Sequence, residues 1–97
     1  MLNSKQRSNL RSLAQKIEPI TQLGKGGIND AFIEGLDKAI EKRELIKVTV
    51  LDNAEDTPRD IAENIAELLE AVPVAVIGRK AIFYRYSRRD KYAHLEF

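Results

Sequence analysis

The sequence contains no cysteine and a single histidine, so neither disulfide bonds nor a thiolate zinc site is expected to hold the fold together. A chain of 97 residues must therefore depend on one small hydrophobic core. Hydrophobic residues make up 43% of the chain and charged residues 32%, which is typical of a single small domain. We expect residues 1–86 to form that domain.

No apolar run approaches the roughly 18 residues that a membrane-spanning helix needs. The first residues also lack the apolar stretch of a secretory signal. The sequence therefore predicts a cytoplasmic protein without a membrane partner. Nothing in it indicates a cofactor or an obligate dimer, so we expect a monomer.

Three amphipathic helices are predicted from apolar residues that recur with a period of 3.6. The first covers roughly residues 4–17, and Asn3 with Gln6 would form a capping box at its start. The second covers about residues 29–43. The third covers residues 57–71, with a threonine and a proline at its start and a row of acidic side chains along one exposed face.

Four short strands are predicted between and after the helices, at residues 20–23, 45–51, 74–77 and 81–86. A glycine at position 78 would close a hairpin between the last two. The resulting order is αβαβαββ, which predicts an α/β sandwich (α+β) with a mixed four-stranded sheet packed against three helices. Residues 87–97 show no period, and we expect a mobile charged tail there.

Charge is segregated along the chain although the net charge is only +1. Residues 1–29 carry five basic side chains and one acidic, and residues 73–97 carry six basic and two acidic. Residues 52–72 carry seven acidic side chains and one basic. If folding brings the two termini together, one basic and one acidic surface result, and such a charge distribution can orient a protein on a polyanion. Solvated helix and tail surfaces would explain the pattern equally well.

Three glycines in four residues, Gly24-Lys25-Gly26-Gly27, separate the first strand from the second helix. Glycine lets another backbone approach closely, and a helix N-terminus attracts phosphate. The spacing matches neither a P-loop nor a dinucleotide fingerprint, which would need glycine where Asn29 stands. What remains is G-x-x-G, the loop by which KH modules clamp a nucleic-acid backbone. A plain strand-to-helix turn would have the same pattern.

Further residues match one known family in the same order along roughly residues 4–86. They are Gln6-Arg7, Leu10-Arg11, Ala14, Pro19-Ile20, Leu23 to Gly27 and Asn29, then Glu44 to Val48, Ile77-Gly78-Arg79 and Phe83-Tyr84-Arg85. This arrangement resembles the CRM domain (chloroplast RNA splicing and ribosome maturation), most of all its stand-alone bacterial type. The resemblance implies an αβαβαββ fold similar to the C-terminal domain of translation initiation factor three.

The resemblance also implies a non-enzymatic RNA-binding protein that associates with ribosomal RNA in precursors of the large ribosomal subunit. The glycine loop would approach the RNA backbone and basic side chains would contact phosphates. The candidate RNA-binding residues are Gly24, Lys25, Gly26, Gly27, Asn29, Lys5, Arg7, Arg11, Lys47, Arg79 and Arg85.

Two alternatives remain open from the sequence. The acidic third helix could dock a protein, which would make the chain an interaction adaptor. The glycine loop could instead bind a small nucleotide, although the missing P-loop lysine argues against it. Catalysis has little support because the sequence lacks a nucleophile elbow and a Cys/His pair.

Overall fold

The computed structural model describes residues 2–88 and 94–97. Its element order is αβαβαββ, as predicted. The elements are α1 (Ser4–Ala14), β1 (Thr21–Leu23), α2 (Asp30–Arg43), β2 (Leu45–Val50), α3 (Pro58–Leu69), β3 (Val72–Ile77) and β4 (Lys80–Tyr84). No helix in the described part of the chain is long and apolar enough to cross a membrane.

All three helices begin where side chains cap their free backbone N–H groups. Asn3 and Gln6 form the reciprocal capping box predicted for α1. The side chain of Asn29 accepts from the backbone N–H of Phe32 at the start of α2, and Thr57 caps α3 ahead of a proline. α1 ends at Ala14, three residues earlier than predicted, and a turn then leads to Pro19, which cannot continue a helix.

The four strands form one mixed sheet in the order β1-β2-β4-β3. β1 pairs with β2 in parallel, and the other two pairings are antiparallel. Pro73 lies in β3, where an edge strand tolerates its missing N–H, and the pairing shifts register between Pro73 and Ala75. This sheet confirms the mixed four-stranded arrangement expected from the sequence.

Helices cover both faces of the sheet and divide the core into two clusters. α2 and α3 pack on one face, against alternate residues of the two central strands such as Val48 and Phe83. α1 packs on the other face through Leu10 and Ala14, against residues such as Ile82. Because successive strand residues point to opposite faces, each central strand contributes to both clusters.

The segment expected to be a mobile tail is packed against the domain over its described residues. Ser87 is buried, and Leu95 and Phe97 pack against the α1 cluster. The rings of Tyr84 and Phe97 meet edge to face with centroids 4.9 Å apart. The chain end thus contributes apolar surface to the core, which the lack of a period did not indicate. Residues 89–93, with Arg89 and Lys91, lie outside the described residues.

Candidate nucleic-acid interface

Three loops meet at one end of the sheet, which we call the loop end. They are the glycine loop (residues 24–29) after β1, residues 51–57 after β2, and the turn at residues 78–79 between β3 and β4. The backbone N–H of Leu51 donates to Leu23 O at 2.8 Å, and that of Val50 donates to Arg79 O at 2.7 Å. The end of β2 therefore connects the other two loops.

The fold requires glycine at two of the three positions in the glycine loop, for two different reasons. A Cβ on Gly24 would lie 2.9 Å from Oδ1 of Asn53 in the neighbouring loop, closer than real Cβ atoms come. Gly27 has a φ of +70°, which side chains disfavour, and its N–H closes a turn onto Gly24 O at 3.1 Å. Gly26 is exposed, has no positive φ, and a Cβ there would meet nothing within 4 Å. Nothing in the fold itself therefore requires glycine at position 26.

Lys25 and Asn29 flank the bare backbone of the loop. Lys25 is exposed, and among the described residues it has no polar side-chain partner. Asn29 is occupied as the N-cap of α2, where its side chain accepts a hydrogen bond from Phe32 N–H at 2.8 Å. Asn29 thus orders the helix N-terminus, and Lys25 supplies the mobile positive charge at this point.

An acidic wall borders the glycine loop on the α3 side. A cleft of about 390 Å³ lies between the loop and residues that include Glu55, Asp56 and Asn64. The two carboxylates repel an anion that enters the cleft. A phosphate at the loop would therefore lie on the side away from α3, and an engulfed nucleotide phosphate fits poorly. The described residues also contain no cluster of acidic or histidine side chains suited to a metal ion.

Arg79 lies at the loop end, but its guanidinium is already occupied there. Nε donates to Val50 O at 2.7 Å and lies 3.0 Å from Oδ1 of Asp52, and Nη2 donates to Leu51 O at 2.7 Å. These contacts join the β3–β4 turn to the loop after β2. Arg79 therefore has a structural role at the loop end. Its side chain is nevertheless 43% exposed.

Arg85, one of the predicted RNA-binding residues, is buried, and that prediction is wrong. Its side chain is only 8% exposed, and Nη1 donates to Asp37 Oδ1 at 2.7 Å and to Leu69 O at 2.8 Å. Nη2 donates to Asp37 O and to Glu41 Oε1, at 3.3 and 3.4 Å. The guanidinium thus joins α2 to the end of α3 inside the protein, where RNA cannot reach it.

The candidates on α1 and β2 lie on the face of the sheet that α1 covers. Lys5 and Arg11 are exposed on the helix. Arg7 is half-buried and donates to Pro73 O and Val74 O at 2.8 and 2.9 Å, so it holds α1 on the bulged edge strand. Lys47 points to the same face between the core residues of β2 and is half-buried.

Sequence reasoning missed Lys80, which begins β4 beside the turn and is exposed. The available signal was strand alternation: Ala81 and Phe83 belong to the core on the α2 side, so Lys80 points to the α1 face. The acidic side chains of α3 lie on the α2 side of the sheet, away from that face. The α1 face thus carries basic side chains on α1, β2 and β4, apart from the acidic row of α3.

A second residue is Glu44, which the sequence placed in a family block without giving it a role and whose carboxylate is fully buried. It accepts from the backbone N–H groups of Ser87 and Leu95, each at 2.6 Å, and lies 2.6 Å from Nδ1 of His94. Burial by itself raises the pKa of Glu44, but these hydrogen bonds outweigh burial and hold the pKa below its ordinary value. Burial, together with the charge of Glu44, raises the pKa of Tyr84. Glu44 therefore anchors the C-terminal residues.

A four-stranded mixed sheet with a G-x-x-G loop ahead of the second of three helices defines a small class of α+β domains. The chain belongs to the CRS1/YhbY (CRM) domain family, whose model matches residues 2–85. This match confirms the resemblance seen in the sequence.

Named relatives agree with this assignment. The chain is 42% identical over 95 residues to "Probable RNA-binding protein YqeI" of Bacillus subtilis, covering 98% of this chain and 99% of that protein. It is 31% identical over 90 residues to a protein of Haemophilus influenzae named "RNA-binding protein", with 93% and 91% covered. The solution structure of a hypothetical protein from Staphylococcus aureus is similar with a TM-score of 0.78 and 47% identity, over 94% of this chain and 95% of that one.

Proposed function

We propose that this protein binds RNA without catalysing a reaction, and that its RNA is ribosomal RNA in precursors of the large ribosomal subunit. The observation that carries the proposal is Gly26, an exposed glycine that the fold does not need, next to the exposed Lys25. A missing side chain at such a position is useful when another backbone comes close. The names of the B. subtilis and H. influenzae relatives support RNA as that partner.

Charge on the two sides of the glycine loop supports one path for the RNA. On the α3 side, Glu55 and Asp56 repel phosphates. On the α1 face lie the exposed basic side chains of Lys5, Arg11 and Lys80, which have no carboxylate partner among the described residues. Lys25 is exposed on the loop itself. An RNA backbone that contacts the loop would therefore continue over the α1 face, while the acidic α3 side limits nonspecific coating by the polyanion.

Sedimentation tests the ribosomal part of the proposal. We expect the protein to travel with free precursors of the large subunit in a gradient and to leave them as salt is raised, because phosphate contacts release counterions. With purified single-stranded RNA, log K should decline by roughly 0.7 per phosphate neutralised for each unit of log salt. Sedimentation with small-subunit particles alone would contradict the assignment to the large subunit while leaving binding to ribosomal RNA intact.

Gly26→Ala tests the glycine loop without disturbing the fold. We expect folding stability to stay the same or rise slightly, because the methyl group meets nothing and restricts the unfolded chain. RNA affinity should fall by about fivefold, since loss of one close backbone contact costs on the order of 1 kcal/mol. Titration of labelled RNA measures the affinity, and urea unfolding measures the stability.

Gly35→Ala is the matched control for this variant. Gly35 is an exposed glycine of α2 whose Cβ would also meet nothing, so it changes stability through the same mechanism but lies outside the proposed interface. Equal RNA affinity of Gly26→Ala and wild type would remove the glycine loop from the binding site.

A further inference from the structure

An uncovered row of side chains crosses the sheet beside the loop end. The strand register pairs Gln22 with Thr49, Thr49 with Lys80, and Lys80 with Ile77, so one residue from each of the four strands stands in the row. We call these four residues the open row. Its strand neighbours Leu23, Val50 and Ala81 belong to the core under α2 and α3. Because strand residues alternate between faces, the open row points to the α1 face.

α1 leaves this part of its face free. The helix packs against side chains farther along the strands, such as Leu45, Ile82 and Tyr84. In the open row Gln22 and Lys80 are exposed, Thr49 is half-buried, and Ile77 is 42% exposed. With neighbouring strands about 4.8 Å apart, the row spans roughly 14 Å.

The open row has the polarity of a surface for a ribose-phosphate backbone. It contains an amide, a hydroxyl and an ammonium group but no carboxylate, and the ammonium of Lys47 lies one row farther from the loop end. Among the described residues, the side chains of Gln22, Thr49 and Lys80 have no hydrogen-bond partner. The row contains no aromatic ring, so bases have no stacking platform here.

We propose that the open row binds the sugar-phosphate backbone of the RNA and distinguishes RNA from DNA through the ribose 2′-hydroxyl. This inference rests on the proposed RNA-binding function and names the part of the site that selects ribose. Lys80 contacts a phosphate, whereas the Gln22 amide and the Thr49 hydroxyl can each donate to and accept from a 2′-hydroxyl. DNA lacks that group, so it leaves both side chains without their partner.

The test compares one short single-stranded sequence without uracil or thymine, made once as RNA and once as DNA. We expect wild type to bind the RNA more tightly. The double variant Gln22→Ala/Thr49→Val should lose about thirtyfold in RNA affinity, as expected for two hydrogen bonds of ordinary strength, and keep its DNA affinity. Lys80→Gln should lower the affinity for both RNA and DNA, because a phosphate contact does not depend on the sugar.

Thr21→Val is the matched control, because Thr21 lies in the same strand as Gln22 but lines a groove beside Phe32 and Leu36 of α2. It should bind both ligands as wild type does, and urea unfolding shows whether every variant is folded. An unchanged ratio of RNA to DNA affinity in the double variant, or a wild type without RNA preference, overturns the inference.

Lys25→Ala separates this result from the proposed function. If Lys25→Ala weakens RNA binding while the double variant leaves the RNA-to-DNA ratio unchanged, then the proposed function stands and the open row has no part in sugar selection. If wild type binds neither oligonucleotide, both the proposed function and the inference fail.

Discussion

Arg85→Ala is expected to lower the free energy of unfolding by about 3 kcal/mol, the lower end of the range for breaking a buried ion pair. The buried guanidinium supplies four hydrogen bonds to α2 and to the last residue of α3. Without it, the carbonyl of Leu69 loses its donor in a buried site, and the carboxylates of Asp37 and Glu41 lose their positive partner. Asp37 is 56% exposed, so water compensates part of that loss. Urea unfolding monitored by circular dichroism measures the change.

RNA affinity of the folded Arg85→Ala protein should equal that of wild type, because the side chain does not reach the surface. Arg88→Ala is the control for charge. Arg88 is 70% exposed and forms a surface salt bridge with Glu70, so loss of this pair should change stability little. A stable Arg85→Ala protein with weakened RNA binding would contradict the structural role assigned here and return Arg85 to the interface.

Glu44→Ala is expected to lower the free energy of unfolding by about 3 kcal/mol at neutral pH. The fully buried carboxylate accepts from two backbone N–H groups and contacts His94. The shorter side chain removes the carboxylate that accepts from Ser87 N–H and Leu95 N–H, and loss of the acceptor of a buried donor costs about 1–3 kcal/mol. The C-terminal residues would then lose their anchor, which proteolysis of the chain end would reveal. Equilibrium urea unfolding measures the main effect.

The cost of Glu44→Ala should depend on pH in a defined direction. The folded protein holds the pKa of Glu44 below its ordinary value of 4.5, so the ionised carboxylate stabilises the fold above that pH. This contribution is lost as the pH falls through the lower pKa of the folded state. The difference in free energy of unfolding between wild type and Glu44→Ala should therefore narrow below pH 4.5. Glu34→Ala, which removes an exposed carboxylate, is the charge-matched control over the same pH range. A constant difference across this range would contradict an ionised Glu44.

Local patterns were enough to predict the order of the seven elements. The start of α1 follows from Asn3 and Gln6, and the start of α3 from Thr57, because capping involves residues only three positions apart. The position of the glycine loop between β1 and α2 could be predicted in the same way. The boundaries of the elements were harder to predict. β3 begins at Val72, two residues earlier than predicted, because an edge strand admits Pro73.

Arg85 shows where sequence reasoning fails at the site. The strand predicted at residues 81–86 and the family resemblance made Arg85 a candidate for RNA contact, but β4 ends at Tyr84. Beyond that point the chain turns its guanidinium toward Asp37, which is 48 positions away in the sequence. The partner of a basic side chain is a long-range property, and the charge of the residue by itself does not reveal it.

The sequence by itself determined the order of helices and strands, the caps of α1 and α3, the bare backbone at Gly26 and the family, because each of these depends on residue identities within a short stretch or at matching positions. Only the tertiary structure decided which basic side chains remain free. It buried Arg85, occupied the guanidinium of Arg79 and aligned Gln22, Thr49 and Lys80 across three strands. The physical reason is that strand register and partner choice depend on how distant segments pack together.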